Sequence, residues 1–523
     1  MTERVKRVLG LAPKQTGNKL IINCEKLERR VALLENGVLE EYSIERQTDR
    51  NIVGSIFKGR VKNIEHGLKA MFVDIGFEKN AFLHFWDALP AALDSGIEEV
   101  ERSSGRKPQK RITAKDIPSI YPVGSEVLVQ VTKGPISTKG PRITTNLSLA
   151  GRYLVLMPYS DQSGISRKIE SPKERERLRK ILKELDIPES MGVIVRTVGE
   201  GQRARYFVRD LGLLIEQWRA IEQAMKDQPS PACVFQEPDL IERTVRDFLT
   251  DEIDGVFCDD DGAVKRMTDL VGQISRRSTN RIQHYSGSQP IFESFGVQKQ
   301  IEDAFHRQVW LKCGGYIVID ETEALIAIDV NTGRNKGGKD VEKTILQTNI
   351  EAADEMSRQM RLRNIGGLII GDFIDMKSRK DQQQVYQRMK DRLRRDKAKT
   401  HVLPISPLGL MEMTRQRAQE SISGSVFESC PYCYGRGKIK SSMTMSVELQ
   451  RTLHQVMRKY PENHEIKVII HPKVLERLRR EDEELLIDIE RKYAGRLSFR
   501  ADPTYHQEKF TVTDANTGAE LQA

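Results

Sequence analysis

By type and spacing, Asp329, Asn331 and Asp372 are well placed to do chemistry. The segment ALIAIDVNTGRNKGG, residues 324–338, opens as an apolar run and reaches Asp329 and Asn331. It then gives way to Gly, Asn and basic residues. Residues i and i+2 of a strand share a face, so Asp329 and Asn331 point the same way. Asp372 ends a second apolar run, GGLIIGD. Two carboxylates with an amide suit a hard cation such as Mg²⁺, which takes oxygen ligands and keeps several waters. Such an ion can polarise a phosphodiester and activate a water. Arg334, Lys336 and Lys339 in the following loop would attract a phosphate chain. Spacing alone serves equally a structural reading, in which strand-end acids cap helices or bind surface lysines. Asp320 and Asp375 also end apolar runs and rank lower. Asp375, three residues past Asp372, falls on the other strand face and reads as a helix cap.

The segment CPYCYGRG supplies two thiols, Cys430 and Cys433, in a tight turn whose glycines let backbone amides face the sulfurs. Zinc usually takes four ligands. There is no second CxxC, and the nine histidines form no metal motif. One economical solution is a site shared by two chains, each giving two thiolates. The rival is a thioredoxin-like redox pair. That pair belongs at the start of a helix, and YGRGKI is a poor helix start, so zinc is favoured.

The elements that must carry these residues follow from periodicity. Residues 314–376 alternate strand, strand, helix, strand. GGYIVID and ALIAIDV are close enough to be antiparallel. A strand–helix–strand unit then favours a parallel, right-handed crossover. That would set Asp329 and Asp372 at the carboxyl edge of the sheet, where open α/β sheets keep their sites. RRVALLENGVLEEYSI is a hairpin turning at Asn36-Gly37. Residues 54–85 and 121–147 are strand-rich and can close a five-stranded OB-type barrel, which binds single strands by stacking bases on aromatics. Phe72 and Phe82 are the candidates, with Lys139 at the barrel's end. Core packing is the competing explanation for any one Phe. Nine Lys/Arg against three Asp/Glu in residues 101–150 favour the polyanion reading. Residues 95–115 read as an exposed loop. In SPKERERLRKILKEL, Ser171-Pro172 reads as an N-cap and first helical residue. Residues 213–312 read as largely helical, and 443–523 as a small α+β domain.

At 523 residues the chain is too long for one core. Its excess of 84 Lys plus Arg over 75 Asp plus Glu, +9, fits a polyanion partner without requiring one. No apolar stretch reaches membrane-spanning length, and the N-terminus lacks a signal peptide's apolar middle. Four of the six cysteines stand alone, which fits a reducing compartment and a cytoplasmic protein.

Taken together, NIVGSIFKGRV, FVDIG, SLAGRYLVLMP, GISRKIES, VIVRTVGEG, HYSGSQPIF, GGYIVIDETEAL, AIDVNTG, DFIDM, GLMEMTRQR and CPYCYGRG resemble the ribonuclease E/G family, in family order, from about residue 20 to the end. The resemblance implies a Mg²⁺-dependent endoribonuclease that cuts single-stranded, often A/U-rich RNA in rRNA maturation and mRNA decay. It leaves a 5′-phosphate and a 3′-hydroxyl. Asp329 and Asp372 would be the metal ligands and Asn331 the catalytic asparagine. The barrel would be an S1 domain contacting RNA through Phe72, Phe82 and Lys139. A pocket for an RNA 5′-monophosphate would fall on Gly151, Val155, Arg167, Arg196 and Thr197. The family's zinc link matches Cys430 and Cys433, and implies dimers that can pair into a tetramer.

The implied layout is multidomain α/β and α+β: a flexible basic extension (1–18), an RNase H-like subdomain in two parts (19–50 and 241–304), the S1 domain (51–147), the 5′-sensor region (148–240), a DNase I-like catalytic subdomain (305–426), the zinc link (427–442) and the small C-terminal domain (443–523). Gly371 departs from the family's bulky aliphatic and would loosen packing beside Asp372. The chain lacks the long tail by which a larger member organises a degradosome, so no such scaffold is expected. Two other function classes compete. One is a non-catalytic S1-type RNA-binding protein whose acids are structural. The other is a thiol redox protein.

Overall fold

A computed structural model describes residues 17–46, 52–90, 97–100, 112–135, 139–250, 252–274, 276–335, 340–416, 421–461, 465–493 and 496–522. Lys336, Lys339, the N-terminal extension before residue 17 and most of the loop at 95–115 lie outside the described residues. The chain divides into two compact units, Met1–Ser425 and Val426–Ala523.

In the first unit, the hairpin Glu28–Glu35/Val38–Arg46 turns at Asn36 and Gly37, both at positive φ, as a two-residue turn requires. It joins Asn18–Cys24, which pairs in parallel with Ile253–Cys258. Ile282–His284 completes this five-stranded sheet. The first and middle parts of the chain therefore share one sheet. Its two faces bury separate apolar clusters, around Leu20, Ile22 and Val256 on one side and Ile21, Leu34 and Phe292 on the other.

Ile56–Glu65, Ala70–Asp74, Ala81–His84, Glu126–Lys133 and Arg142–Thr144 form a closed five-stranded barrel. Pairing of Ile56–Glu65 with Glu126–Lys133 closes it. Ala232–Phe235 adds to its outer edge. A third sheet runs Leu149–Ala150, Leu154–Pro158, Met191–Val195, Gly164–Ser166, Ile97–Glu99. It packs on Pro172–Glu184 and Ala204–Asp227. Ser171 does cap the first of these helices, accepting from the Glu174 amide.

The fourth sheet carries the candidate acids. Its order is Gln308–Trp310, Tyr316–Glu321, Ile326–Asn331, Gly367–Asp372, Leu410–Arg415, Thr400–Val402. Tyr316–Glu321 and Ile326–Asn331 are antiparallel, and Ile326–Asn331 and Gly367–Asp372 are parallel, as expected. The helices Val341–Leu362 and Arg379–Leu393 cover one face, burying Ile328, Val330, Met356 and Met389. The alternation buried–exposed–buried–exposed along Ile326–Asp329 leaves the other face open to solvent.

Three expectations are corrected and one is refined. Residues 213–312 are largely helical as expected, but they also contain the strands Ala232–Phe235, Ile253–Cys258, Ile282–His284 and Gln308–Trp310. All are short; Ala232–Phe235 and Ile253–Cys258 pair with strands far back in the sequence, whereas Gln308–Trp310 pairs with the next strand, Tyr316–Glu321. Part of the expected loop at 95–115 is a strand, Ile97–Glu99, paired with Gly164–Ser166. Gly371 does not loosen the sheet: a Cβ there would meet the Phe373 ring at 3.3 Å and Met356 Sδ at 3.4 Å, so neighbours already fill the space. Asp375 caps no helix, because the N-cap of Arg379–Leu393 is Ser378.

In the second unit, Glu465–Ile470 lies between Arg496–Ala501 and Phe510–Asp514. Ser442–Lys459, Pro472–Arg480 and Glu483–Tyr493 pack on this sheet in a core around Leu449, Leu453 and Val468. This is the small α+β domain expected from the sequence.

Candidate active site

Parallel register sets Asp329, two residues before the end of its strand, directly opposite Asp372, the last residue of its own, and both are exposed. Asn331 donates from Nδ2 to Asp329 Oδ2 at 2.7 Å, so the amide and first carboxylate form one unit. Burial and the negative charges of Asp329 and Asp375 push the Asp372 carboxyl above its ordinary value. Asp375 thus lies within electrostatic reach of the pair. The sequence missed it because the strand ends at Asp372, so counting faces beyond that residue has no meaning. Among the described residues, no ion pair joins a Lys or Arg to Asp329, Asp372 or Asp375. Asp320, by contrast, is satisfied: Arg307 holds it with two bonds of 2.5 and 2.6 Å, which keeps its carboxyl below the ordinary value. An uncompensated cluster of carboxylate and amide oxygens is the donor set a hard cation takes. Arg334 lies in the turn after Asn331.

In the third sheet, Arg196 donates to the Gly151 carbonyl at 2.6 Å and pairs with Asp247 at 2.7 Å. Burial opposes ionisation of Asp247, but Arg196 and Arg246 hold its carboxyl below the ordinary value. Gly151 has no room for a side chain: a Cβ would meet the Asp210 carboxylate at 2.7 Å. That carboxylate accepts the amides of Arg152, Tyr153 and Leu154. Ile165 and Val195 are register partners, so Arg167 and Thr197, two residues beyond each, leave the same edge of the sheet. Val155 pairs with Ile194, and the Arg196 amide, just past the strand end, bonds to the Tyr153 carbonyl at 2.8 Å. The five residues therefore lie on or just past strands of one sheet, and among them a direct contact joins Arg196 to the Gly151 carbonyl.

On the barrel, Phe72 and Phe82 are cross-strand partners with ring centroids 5.9 Å apart, edge to face and half-buried. Lys139 is exposed at the approach to Arg142–Thr144. The chain there runs beside the Phe82 strand, whose amide bonds to the Pro141 carbonyl at 2.8 Å.

In the second unit, Cys430 is exposed and Cys433 half-buried. The Tyr434 amide bonds to the Cys430 carbonyl and the Arg436 amide to the Cys433 carbonyl, closing two consecutive turns. Backbone amides of Cys433 and Tyr432 facing the Cys430 sulfur lower its pKa. No helix starts at the CxxC; the next begins at Ser442. Among the described residues, the one convergent group of three possible ligands is elsewhere, at Cys24, Cys258 and Asp259. Those two sulfurs lie 3.8 Å apart across parallel strands.

The Ribonuclease E/G family profile matches residues 148–418. A second, RNase E/G, Thioredoxin-like domain, matches residues 429–515. The chain is 38% identical over 494 residues to ribonuclease G of Escherichia coli (strain K12), covering 94% of this chain and 99% of that protein. Ribonuclease G of Haemophilus influenzae is 38% identical over 498 residues, again 94% and 99%. Ribonuclease E of Haemophilus influenzae is 36% identical over 505 residues, covering 96% of this chain and 52% of that protein. The chain belongs to the ribonuclease E/G family.

Proposed function

We propose that the open face at Asp329, Asn331 and Asp372 is the cleaving centre of a Mg²⁺-dependent enzyme for single-stranded, often A/U-rich RNA. The family itself establishes an endoribonuclease of RNA processing and decay. The observation that carries the site assignment is the register pairing of two exposed acids that no basic side chain compensates among the described residues. Like charges held this close favour a bound cation. Asp329 and Asp372 would hold Mg²⁺, which when bound polarises the phosphodiester and supplies an activated water. Asn331 keeps Asp329 oriented through one N–H and has a second to offer a phosphate oxygen. The products carry a 5′-phosphate and a 3′-hydroxyl.

The barrel would serve as the S1 domain, seating single-stranded RNA on Phe72 and Phe82 with Lys139 at its phosphates. Gly151, Val155, Arg167, Arg196 and Thr197 would receive a 5′-monophosphate and stimulate cleavage. An Arg fork and a hydroxyl suit a terminal phosphate. Cys430 and Cys433 of two chains would together complete a tetrahedral zinc site and link a homodimer, which can pair further. No helix among the described residues is long and apolar enough to cross a membrane. We assign the protein to the cytoplasm.

The test is chelation. EDTA should abolish turnover of an A/U-rich RNA while leaving binding intact, and added Mg²⁺ should restore it. Turnover that survives chelation would end the metal reading. Binding without turnover under any condition would favour an RNA-binding protein.

A further inference from the structure

Trp310 is 52% exposed on the edge strand Gln308–Trp310. Its neighbour Val309 is buried in the core, so alternation turns the indole to the open face. Register extends this placement across the sheet: Trp310 pairs with Tyr316, and Tyr316 pairs with Asn331. Cross-strand partners share a face. Indole, phenol and the proposed catalytic amide therefore form one row, and Trp310 lies two strand spacings, about 10 Å, from Asn331.

The row is built rather than incidental. The Trp310 and Tyr316 rings meet edge to face, with centroids 5.3 Å apart at 62°. The Arg334 guanidinium lies 5.2 Å from the indole centroid. The turn that carries Arg334 is anchored at both ends. The Arg334 amide bonds to the Gly314 carbonyl at 2.9 Å, and Asn335 Nδ2 donates to Thr348 Oγ1 at 3.2 Å. Gly333 sits at φ 54°, where a Cβ would come 2.7 Å from the Gly314 oxygen and 3.0 Å from the Tyr316 ring. Only glycine lets the turn pack this closely on Tyr316, and that packing sets Arg334 over the indole.

An exposed indole with a cation on it, in one row with the proposed catalytic amide, is complementary to the flat face of a nucleobase. Bases stack on aromatic and guanidinium planes whatever their sequence. The positive charge of Arg334 suits the adjoining phosphate. We propose that Trp310, supported by Tyr316 and Arg334, is a stacking platform for a base of the RNA beside the scissile phosphate. This rests on the reading of Asp329, Asn331 and Asp372 as the cleaving centre.

The test uses the full-length chain and a series of short 5′-monophosphorylated RNAs, each with one abasic position near the cut. Affinity is measured in the Asp329→Asn background, and kcat/KM in the otherwise native chain. Trp310→Ala should lower both by roughly 5- to 100-fold on intact RNA. Trp310→Phe should restore most of the loss. At one abasic position the parent protein should show the same loss, and there Trp310→Ala should add nothing. Equal losses on intact RNA and on every abasic RNA would overturn the platform, as would full activity of Trp310→Ala. A loss that appears only when the oligomer dissociates would assign the ring to an interface between copies and overturn it too. Normal cleavage by Asp329→Asn would instead sink the cleaving-centre reading, independently of these affinities.

Discussion

Arg196 meets the Asp247 carboxylate at 2.7 Å and the Gly151 carbonyl at 2.6 Å, whereas Asp329 and Asp372 face each other at exposed strand ends with no basic partner among the described residues. The two regions handle charge in opposite ways. In the third sheet the cation is already compensated, so an incoming phosphate must compete with a carboxylate for the same guanidinium. Its gain is a difference between two ion pairs and is therefore modest and tunable. In the fourth sheet the negative charge is left over, so a cation gains the full attraction of the cluster. On the proposed function, the first region would receive a signal that is weighed and the second a cofactor that is required. The two are also physically joined. Lys168, next to Arg167, donates to the Asp396 carbonyl at 2.6 Å. Asp396 and Arg415 form a buried ion pair at 2.7 Å, and Arg415 ends the strand that pairs with Gly367–Asp372.

The largest effect should come from Asp372→Asn. If the leftover charge is the working part, cleavage falls by roughly a thousand-fold or more while RNA affinity holds, read by single-turnover kinetics beside a binding titration. Next is the join between the regions. Asp396→Ala strands the Arg415 guanidinium in the core and should cost about 3–5 kcal/mol of stability in urea denaturation. A loss below about 1 kcal/mol would mean the pair is solvated in solution.

The compensated region should respond less. Arg196→Gln should remove the preference for 5′-monophosphorylated over 5′-hydroxyl RNA, a change of about 10-fold, and leave the 5′-hydroxyl rate alone. Asp247→Asn should raise the preference by freeing the guanidinium. If both substitutions slow the two RNAs equally, the region is structural.

The smallest effect is on pH and stability. Asp372 has a raised pKa in the folded chain, so between the ordinary carboxylate value and that raised value the folded state binds more protons than the unfolded one. Its contribution therefore makes the metal-free protein less stable as pH rises through that window. Asp372→Asn should raise the Tm of metal-free protein at neutral pH, and Mg²⁺ should raise the Tm of the wild type. A lower Tm for the variant would contradict the like-charge account.

The two regions also differed in how far the sequence revealed them. Asp329 and Asn331 were legible because a period of two fixes their shared face within one strand, and because an apolar run that ends in acid is locally visible. Asp372 followed from the crossover. Asp375 was misread when strand alternation was extended past the last strand residue. The partners of Arg196 lie 45 residues before it, at Gly151, and far downstream, at Asp247, so nothing local announces the cluster. The strand Ile253–Cys258 was hidden for the same reason: one partner is Asn18–Cys24, more than two hundred residues away, and Asp254-Gly255 interrupts its apolar run. The contact of Cys24 with Cys258 comes only from that pairing. Val309-Trp310 is ordinary strand sequence, and the row that joins Trp310 to Asn331 requires the register.

The most direct measurement is the cleavage rate of one A/U-rich RNA, carrying either a 5′-monophosphate or a 5′-hydroxyl, by the wild type and by Asp329→Asn, at saturating Mg²⁺ and with binding followed in parallel. The account predicts that the variant binds both RNAs like the wild type and cuts neither, while the wild type cuts both and favours the monophosphate. Cleavage by Asp329→Asn at the wild-type rate would contradict it, and the site of cleavage would have to be sought elsewhere in the molecule.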